Sequence, residues 1–504
     1  MKHTRKVWAT ILVSSMIAAM ALSGCGGNEE ESSATAETAD LYTEVGTYFP
    51  IVNEPIELHT FIVQRPNTID YETNDATVFF EENTGIDLVF ETIPSDAQEE
   101  KVNLAFASQE LPDLFLGFTL DDARYGVEEG LLMDLTEIID TKMPRLQEIF
   151  EEVPTMRGAM TQTDGKIYQI PSYNDCYHCT FAVKMWANTA HLEEMGLGVP
   201  TTIDEFYNAC KQFKEENPNA VPLAGAAATA NGAWNSDPLM FIMNAYTYYP
   251  NNVYGLRLKD GTVETAYNTD EYREALKFMN KMYNEGLLYE ATYTNTSDQM
   301  KAILVEEGEP VLFFPEGASV NLIDSASSTE LYSHYYPIAP LEGPDGTRMA
   351  TYIPTEPYGY FSIPTTSAYP EAAARFVDYL LTDEGGYTMN NGPEGQGWEK
   401  IDESDGWLGA NGEPATVLTH HIYSQDPQNE CWQDVTGYAS SAFRFSTNSY
   451  RADEAPDLFE PAASEMLLYK STKEEYEPYK TDEWSNVPAL NFLVEENTSV
   501  QTIE

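Results

Sequence analysis

The chain has 504 residues, enough for two or three core-forming domains at about 150 residues each. Its 82 Asp and Glu against 27 Lys and Arg give a formal net charge of -55, which argues against nucleic acid or an anionic lipid surface as partner, because both are held through basic side chains that displace counterions. Hydrophobic residues at 42% and aromatics at 12% argue equally against a disordered acidic tail.

The first segment carries a short basic head (Lys2, Arg5, Lys6), an apolar run from Val7 to Leu22 and small residues before a cysteine. This is the pattern of a secretion signal, and the run is too short and too rich in Ser and Ala for a permanent span. Leu22-Ser23-Gly24-Cys25 resembles the bacterial lipobox. Residues 1–24 are therefore expected to be removed and Cys25 to carry the lipid that anchors the chain to the outer face of the cell membrane. Residues 25–54 are small, polar and acidic, a composition that cannot bury a core and reads as a flexible tether.

From Pro55 onward the pattern alternates between short apolar strands and amphipathic helices, the mark of a layered α/β fold. Ile56 to Val63 reads as a strand, Asp75 to Asn83 as a helix closed by Gly85, and Ile86 to Thr92 as the next strand. A helix from Asp96 to Ser108 and a strand from Leu114 to Phe118 follow. Phe181 to Trp186 reads as a strand, with Trp186 in the core. Thr202-Ile203-Asp204-Glu205 has the form of a capping box, opening a helix to about Glu216 whose apolar side includes Cys210. Tyr272, Ala275, Leu276, Met279, Met282 and Tyr283 mark another helix face ended by Gly286. Pro370 opens a further helix with a buried stripe of Ala373, Phe376, Val377, Leu380 and Leu381.

Metal and cofactor signals are weak. Cys176-Tyr177-His178-Cys179 has knuckle or redox spacing, but no second CxxC or nearby His pair completes a four-ligand zinc site, so a local disulfide or two buried thiols is expected. Asp402-Glu403-Ser404-Asp405-Gly406 lacks the full ligand spacing of a calcium loop and reads as a solvated acidic turn. No metal and no cofactor is expected.

Several segments occur in a telling order. Gly165-Lys166-Ile167-Tyr168-Gln169-Ile170-Pro171 precedes Leu192-Glu193-Glu194-Met195-Gly196-Leu197 and then Val199-Pro200-Thr201-Thr202-Ile203-Asp204-Glu205-Phe206. Far downstream come Phe376-Val377-Asp378-Tyr379-Leu380-Leu381-Thr382-Asp383-Glu384-Gly385 and Gly392-Pro393-Glu394-Gly395-Gln396-Gly397-Trp398. Together these resemble the extracellular solute-binding proteins of sugar ABC importers, the maltodextrin-binding class, in its Gram-positive lipoprotein subgroup. The resemblance implies a two-lobe, type II periplasmic-binding-protein-like α/β fold with a hinge and a ligand cleft between the lobes. It places lobe one at 55–175 plus 287–358 and lobe two at 176–286 plus 359–504, with hinges near 172–180 and 355–360. It implies a monomer that captures a neutral oligosaccharide and delivers it to membrane permease subunits. It also implies further terminal helices, so that a truncated end is expected beyond Asn497–Glu504. A peptide or other small solute is the alternative ligand for such a scaffold, and a secreted glycoside hydrolase the alternative class.

A sugar offers apolar C–H faces and a rim of hydroxyls, so its site needs aromatic platforms and polar side chains. Trp234 and Asp237 stand in a polar loop where a core tryptophan would be unusual. Tyr173 and Asp175 follow a strand expected to cross between the lobes, and Trp398 follows a glycine-rich turn. Gln64 and Arg65 after the first strand, and Glu316 after Phe313-Phe314-Pro315, complete the candidates, because ligands of open α/β sheets collect at the carboxyl ends of strands.

Overall fold

The computed structural model describes residues 41–65, 67–94, 97–172, 176–226, 234–250, 255–354, 357–409, 413–420, 427–432, 451–453, 459 and 463–487. The expected signal, Cys25, most of the tether, Tyr173, Asp175 and the C-terminal end lie outside the described residues. Residues 43–504 form one unit.

Two sheets organise this unit. The first joins β1 (Ile56–Gln64), β2 (Ile86–Pro94), β3 (Leu114–Leu116), β4 (Gln169–Ser172) and β11 (Tyr358–Ser362) in the order β2-β1-β3-β11-β4. The β1, β2 and β3 strands are parallel, and β11 runs antiparallel between β3 and β4. Parallel strands need a crossover between them, and helices Asp75–Thr84 and Gln98–Ser108 supply it. The first of these starts on Asn74, whose side chain accepts from Ala76 N–H, and stops at Gly85, whose φ of 79° is the left-handed conformation that glycine enters without penalty.

The second sheet joins β5 (Met185–Asn188), β6 (Val221–Leu223), β9 (Val311–Pro315) and β10 (Tyr335–Ile338) in the order β10-β5-β9-β6, with β6 and β9 parallel. Among the described residues there are also two small sheets: β7 (Leu256–Lys259) and β8 (Thr262–Thr265) with β15 (Ser485–Asn486), and β12 (Trp398–Lys400) and β13 (Val417–Thr419) with β14 (Arg451–Asp453).

These ladders divide the strands differently from the expected boundaries. The segment 287–358 was expected in lobe one, yet β9 and β10 pair with β5 and β6. Residues after 359 were expected in lobe two, yet β11 joins the first sheet and helix Pro370–Leu380 packs on helices Thr136–Lys142 and Pro144–Glu152 of that half. Strand partners are set by contacts between distant segments, which hydrophobic periodicity does not encode. The cores follow the sheets. One cluster gathers Phe61, Phe106, Phe115 and Tyr168, while two others gather Phe206, Phe213 and Phe313, and Trp186, Phe314 and Tyr335. The chain changes sheet between Ser172 and Met185 and again between Ile338 and Tyr358.

Three local expectations are revised. Tyr177–Phe181 is a short 3-10 turn, and the strand expected at 181–186 begins at Met185. On helix Asp270–Asn284, Ala275, Met279 and Met282 are buried but Leu276 and Tyr283 are exposed. Helix Pro370–Leu380 is buried on all sides rather than along a stripe, because the segment before β1 lies over it. Arg375 donates to the carbonyls of Thr43, Glu44 and Thr47, and Asp378 accepts from Tyr48 and from the Leu146 amide.

Candidate functional site

The parallel pair β6 and β9 ends side by side, and the segment Trp234–Asp237 folds over that end. The Ala226 amide donates to Ser236 O at 2.9 Å, and the Gly317 amide donates to Trp234 O at 2.8 Å. Beneath the loop lies Glu316, with no exposed surface. Its carboxylate accepts from the Ser236 hydroxyl and, at 2.8 Å, from Asn321 Nδ2. Burial pushes its pKa up to about 7, while these hydrogen bonds and those from the Gly317 and Ala318 amides pull the other way. Its own carbonyl accepts from the Trp186 indole at 2.8 Å. Gly317 is required here: a Cβ would run into the six-membered ring of Trp234, so the half-buried indole lies directly on the glycine backbone. Glu316 and Gly317 thus fix the height and tilt of Trp234.

Asp237 caps helix Pro238–Met243, its Oδ1 accepting from Leu239 N–H at 2.9 Å, and burial raises its pKa. The carboxylate acts electrostatically on three phenols, Tyr249, Tyr272 and Tyr293, each of which burial raises above the ordinary tyrosine range, Tyr293 to about 12. The rings of Tyr249, Tyr267 and Tyr272 lie 5.2 to 6.3 Å apart, and the hydroxyls of Tyr249 and Tyr267 are 3.5 Å apart. Tyr293 is 50% exposed and Tyr267 43%. A half-buried indole and exposed phenol rings are groups that stack on C–H faces, and a carboxylate accepts from hydroxyls.

Trp234, Asp237 and Glu316 are therefore brought together, with Glu316 as the buried support beneath the loop. The tyrosines were not singled out in the sequence. Tyr272 shows there only as part of a helix face, and the run Thr247-Tyr248-Tyr249-Pro250 was the signal available.

On the first sheet, Gln64 Nε2 donates to the carbonyls of Arg65 and Thr68, both at 3.0 Å, and so closes its own loop. The buried Nε of the half-buried Arg65 has no hydrogen-bond partner among the described residues. Both residues stand at the carboxyl end of the parallel strands β1 and β3, and Tyr358, 43% exposed, opens the neighbouring β11. Trp398 stands apart. It is fully buried against Tyr387, ring centroids 5.2 Å apart, in a cluster with Val417. Its packing explains it.

At the start of the second sheet Cys176 and Cys179 form a disulfide. Between them His178 is fully buried, Nε2 3.4 Å from the carboxylate of Glu465 on helix Ser464–Ser471 and its ring 6.5 Å from Trp234. Lys184 donates to the carbonyls of His178 (2.9 Å) and Phe181 (2.6 Å), and burial lowers its pKa to about 7. The 402–406 segment is an acidic 3-10 turn in which Asp402 and Asp405 cap one another.

A family model described as bacterial extracellular solute-binding protein matches residues 63–387. The fructooligosaccharide ABC transporter substrate-binding protein FusA of Streptococcus pneumoniae is 25% identical over 295 residues, 56% of this chain and 52% of that protein. The chain thus aligns with about half the length of that relative. Lipoprotein LipO of Bacillus subtilis is 24% identical over 415 residues, 79% of this chain and 74% of the relative. The solved structure of an S. pneumoniae FusA EF-hand mutant in complex with fructo-nystose has a TM-score of 0.71 at 20% identity, covering 89% of both chains. At that identity the structural match speaks for the fold, the mixed α/β architecture of two-lobe solute-binding proteins.

Proposed function

Since the chain belongs to the bacterial extracellular solute-binding protein family, and so is a binding protein and not an enzyme, we propose that it captures a neutral oligosaccharide for an ABC importer. The observation that carries this reading is the half-buried indole of Trp234, set at the carboxyl end of β6 and β9 on a loop that the buried Glu316 and Gly317 hold, with Asp237 on the same loop acting electrostatically on Tyr293. In this reading one lobe is built on the first sheet and the other on the second, with crossings near 172–185 and 338–358. Gln64, Arg65 and Tyr358 face the ligand from the first lobe. In the sequence Tyr173 and Asp175 fall between Ser172 and Met185. A ligand that touches both lobes only when they approach favours the closed state by its differential affinity, and permease subunits recognise that state.

The lipobox-like segment supports attachment through a lipidated Cys25 on the outer face of the cell membrane, with the protein acting as a monomer. Similarity to a fructooligosaccharide-binding protein and to a lipoprotein supports both halves of the proposal. The net charge of -55 disfavours uronic or phosphorylated sugars, although screening limits this effect to short range.

A thermal-shift screen against neutral oligosaccharides tests the proposal, since a ligand of the folded form raises the melting temperature. Saturable stabilisation without new reducing ends is expected. No stabilisation by any sugar, with stabilisation by peptides, would overturn it.

A further inference from the structure

The turn Cys176-Tyr177-His178-Cys179 takes no part in the proposed sugar site, yet its side chains converge. Ligand atoms of Cys176, His178 and Cys179 all lie within 4.8 Å of one another. His178 Nδ1 is 3.9 Å from Cys179 Sγ, close to the separation of about 3.6 Å that a tetrahedral zinc would impose from its bond lengths to sulfur and nitrogen. The other imidazole nitrogen meets the buried Glu465 carboxylate at 3.4 Å, the arrangement that orients a metal-bound histidine and raises its basicity. The turn does not depend on the disulfide alone. Cys179 N–H donates to Cys176 O, Thr180 Oγ1 donates to Tyr177 O, and Lys184 ties down the carbonyls of His178 and Phe181. Cys179 is only half-buried, which leaves a way in.

We propose that, once reduced, this turn binds one zinc-class divalent cation through Cys176 Sγ, Cys179 Sγ and His178 Nδ1, with Glu465 as the outer partner of the imidazole. A dithiol reductant supplies two electrons and two protons to open the S–S bond and is itself oxidised to a disulfide. The two thiols then lose their protons to solvent as the cation binds. The metal replaces the disulfide as the clamp on this turn.

The test is a cobalt titration of the full chain after phosphine reduction and anaerobic removal of the phosphine, read by sulfur-to-cobalt charge-transfer absorption. One equivalent is expected to bind the reduced protein and none the unreduced protein. Cys176→Ser/Cys179→Ser, which retains Cys210 and Cys431, abolishes the signal, and Glu465→Gln weakens binding about 10- to 100-fold. An absent band, a band that survives in the double-serine variant, or unchanged affinity in both His178→Asn and Glu465→Gln would overturn the site.

Discussion

Replacing Glu316 with Gln tests the support beneath Trp234 through its charge. In the folded chain burial pushes the Glu316 pKa up to about 7, against an ordinary glutamate value of about 4.5. Between these values the native state holds a proton that the unfolded chain has released, so stability falls as pH rises from about 4.5 to 7 and the penalty persists above 7. The difference of about 2.5 pH units, at about 1.36 kcal/mol each, amounts to roughly 3 kcal/mol. Glu316→Gln removes the titration but keeps a polar group for Ser236 and Asn321. Urea denaturation of both proteins at several pH values from 4.5 to 8 should show the variant gaining about 3 kcal/mol relative to the parent across that range. Because Asp122, also buried, is pushed up to about 7, the difference between the proteins is the informative quantity. A parallel pH dependence in the two would refute the account of Glu316 as a buried carboxyl under the loop.

Other outcomes follow from the same geometry. Gly317→Ala drives a methyl group into the Trp234 ring and should shift the tryptophan emission and weaken sugar binding on the order of ten-fold, measured by fluorescence titration. Trp398→Ala empties a buried site and should cost about 3–5 kcal/mol in denaturant unfolding; sugar affinity per folded molecule should stay unchanged. Cys176→Ser/Cys179→Ser removes a short covalent loop, and the chain-entropy relation predicts a loss of about 2 kcal/mol, read as a lower unfolding midpoint.

Much of the fold is legible in the sequence because its elements follow local rules. β1, β2 and helix Asp75–Thr84 with its Gly85 stop fall within one or two residues of their expected limits. At Thr202 the cap forms as expected, and Glu205 accepts from the amide and the hydroxyl of Thr201. The assignment of β9, β10 and β11 to sheets is not legible, since the parallel partner of β9 is fixed by packing between distant segments. Of the tryptophans, Trp186 is buried as its strand context implies and Trp234 is half-buried in its polar loop, while the glycine-rich turn misleads at Trp398 by delivering the indole into a small core. Glu316 is recognisable as the residue after a strand. Its complete burial is not, because that depends on Ser236 and Asn321 closing over it.

The most direct measurement is calorimetric titration of the most strongly stabilising oligosaccharide into the parent protein and into Trp234→Ala. Saturable one-to-one binding by the parent, weakened on the order of ten-fold or more in the variant, is the predicted result. Equal affinity in the two proteins, with the variant fully folded, would contradict a sugar site built on Trp234 at the end of β6 and β9.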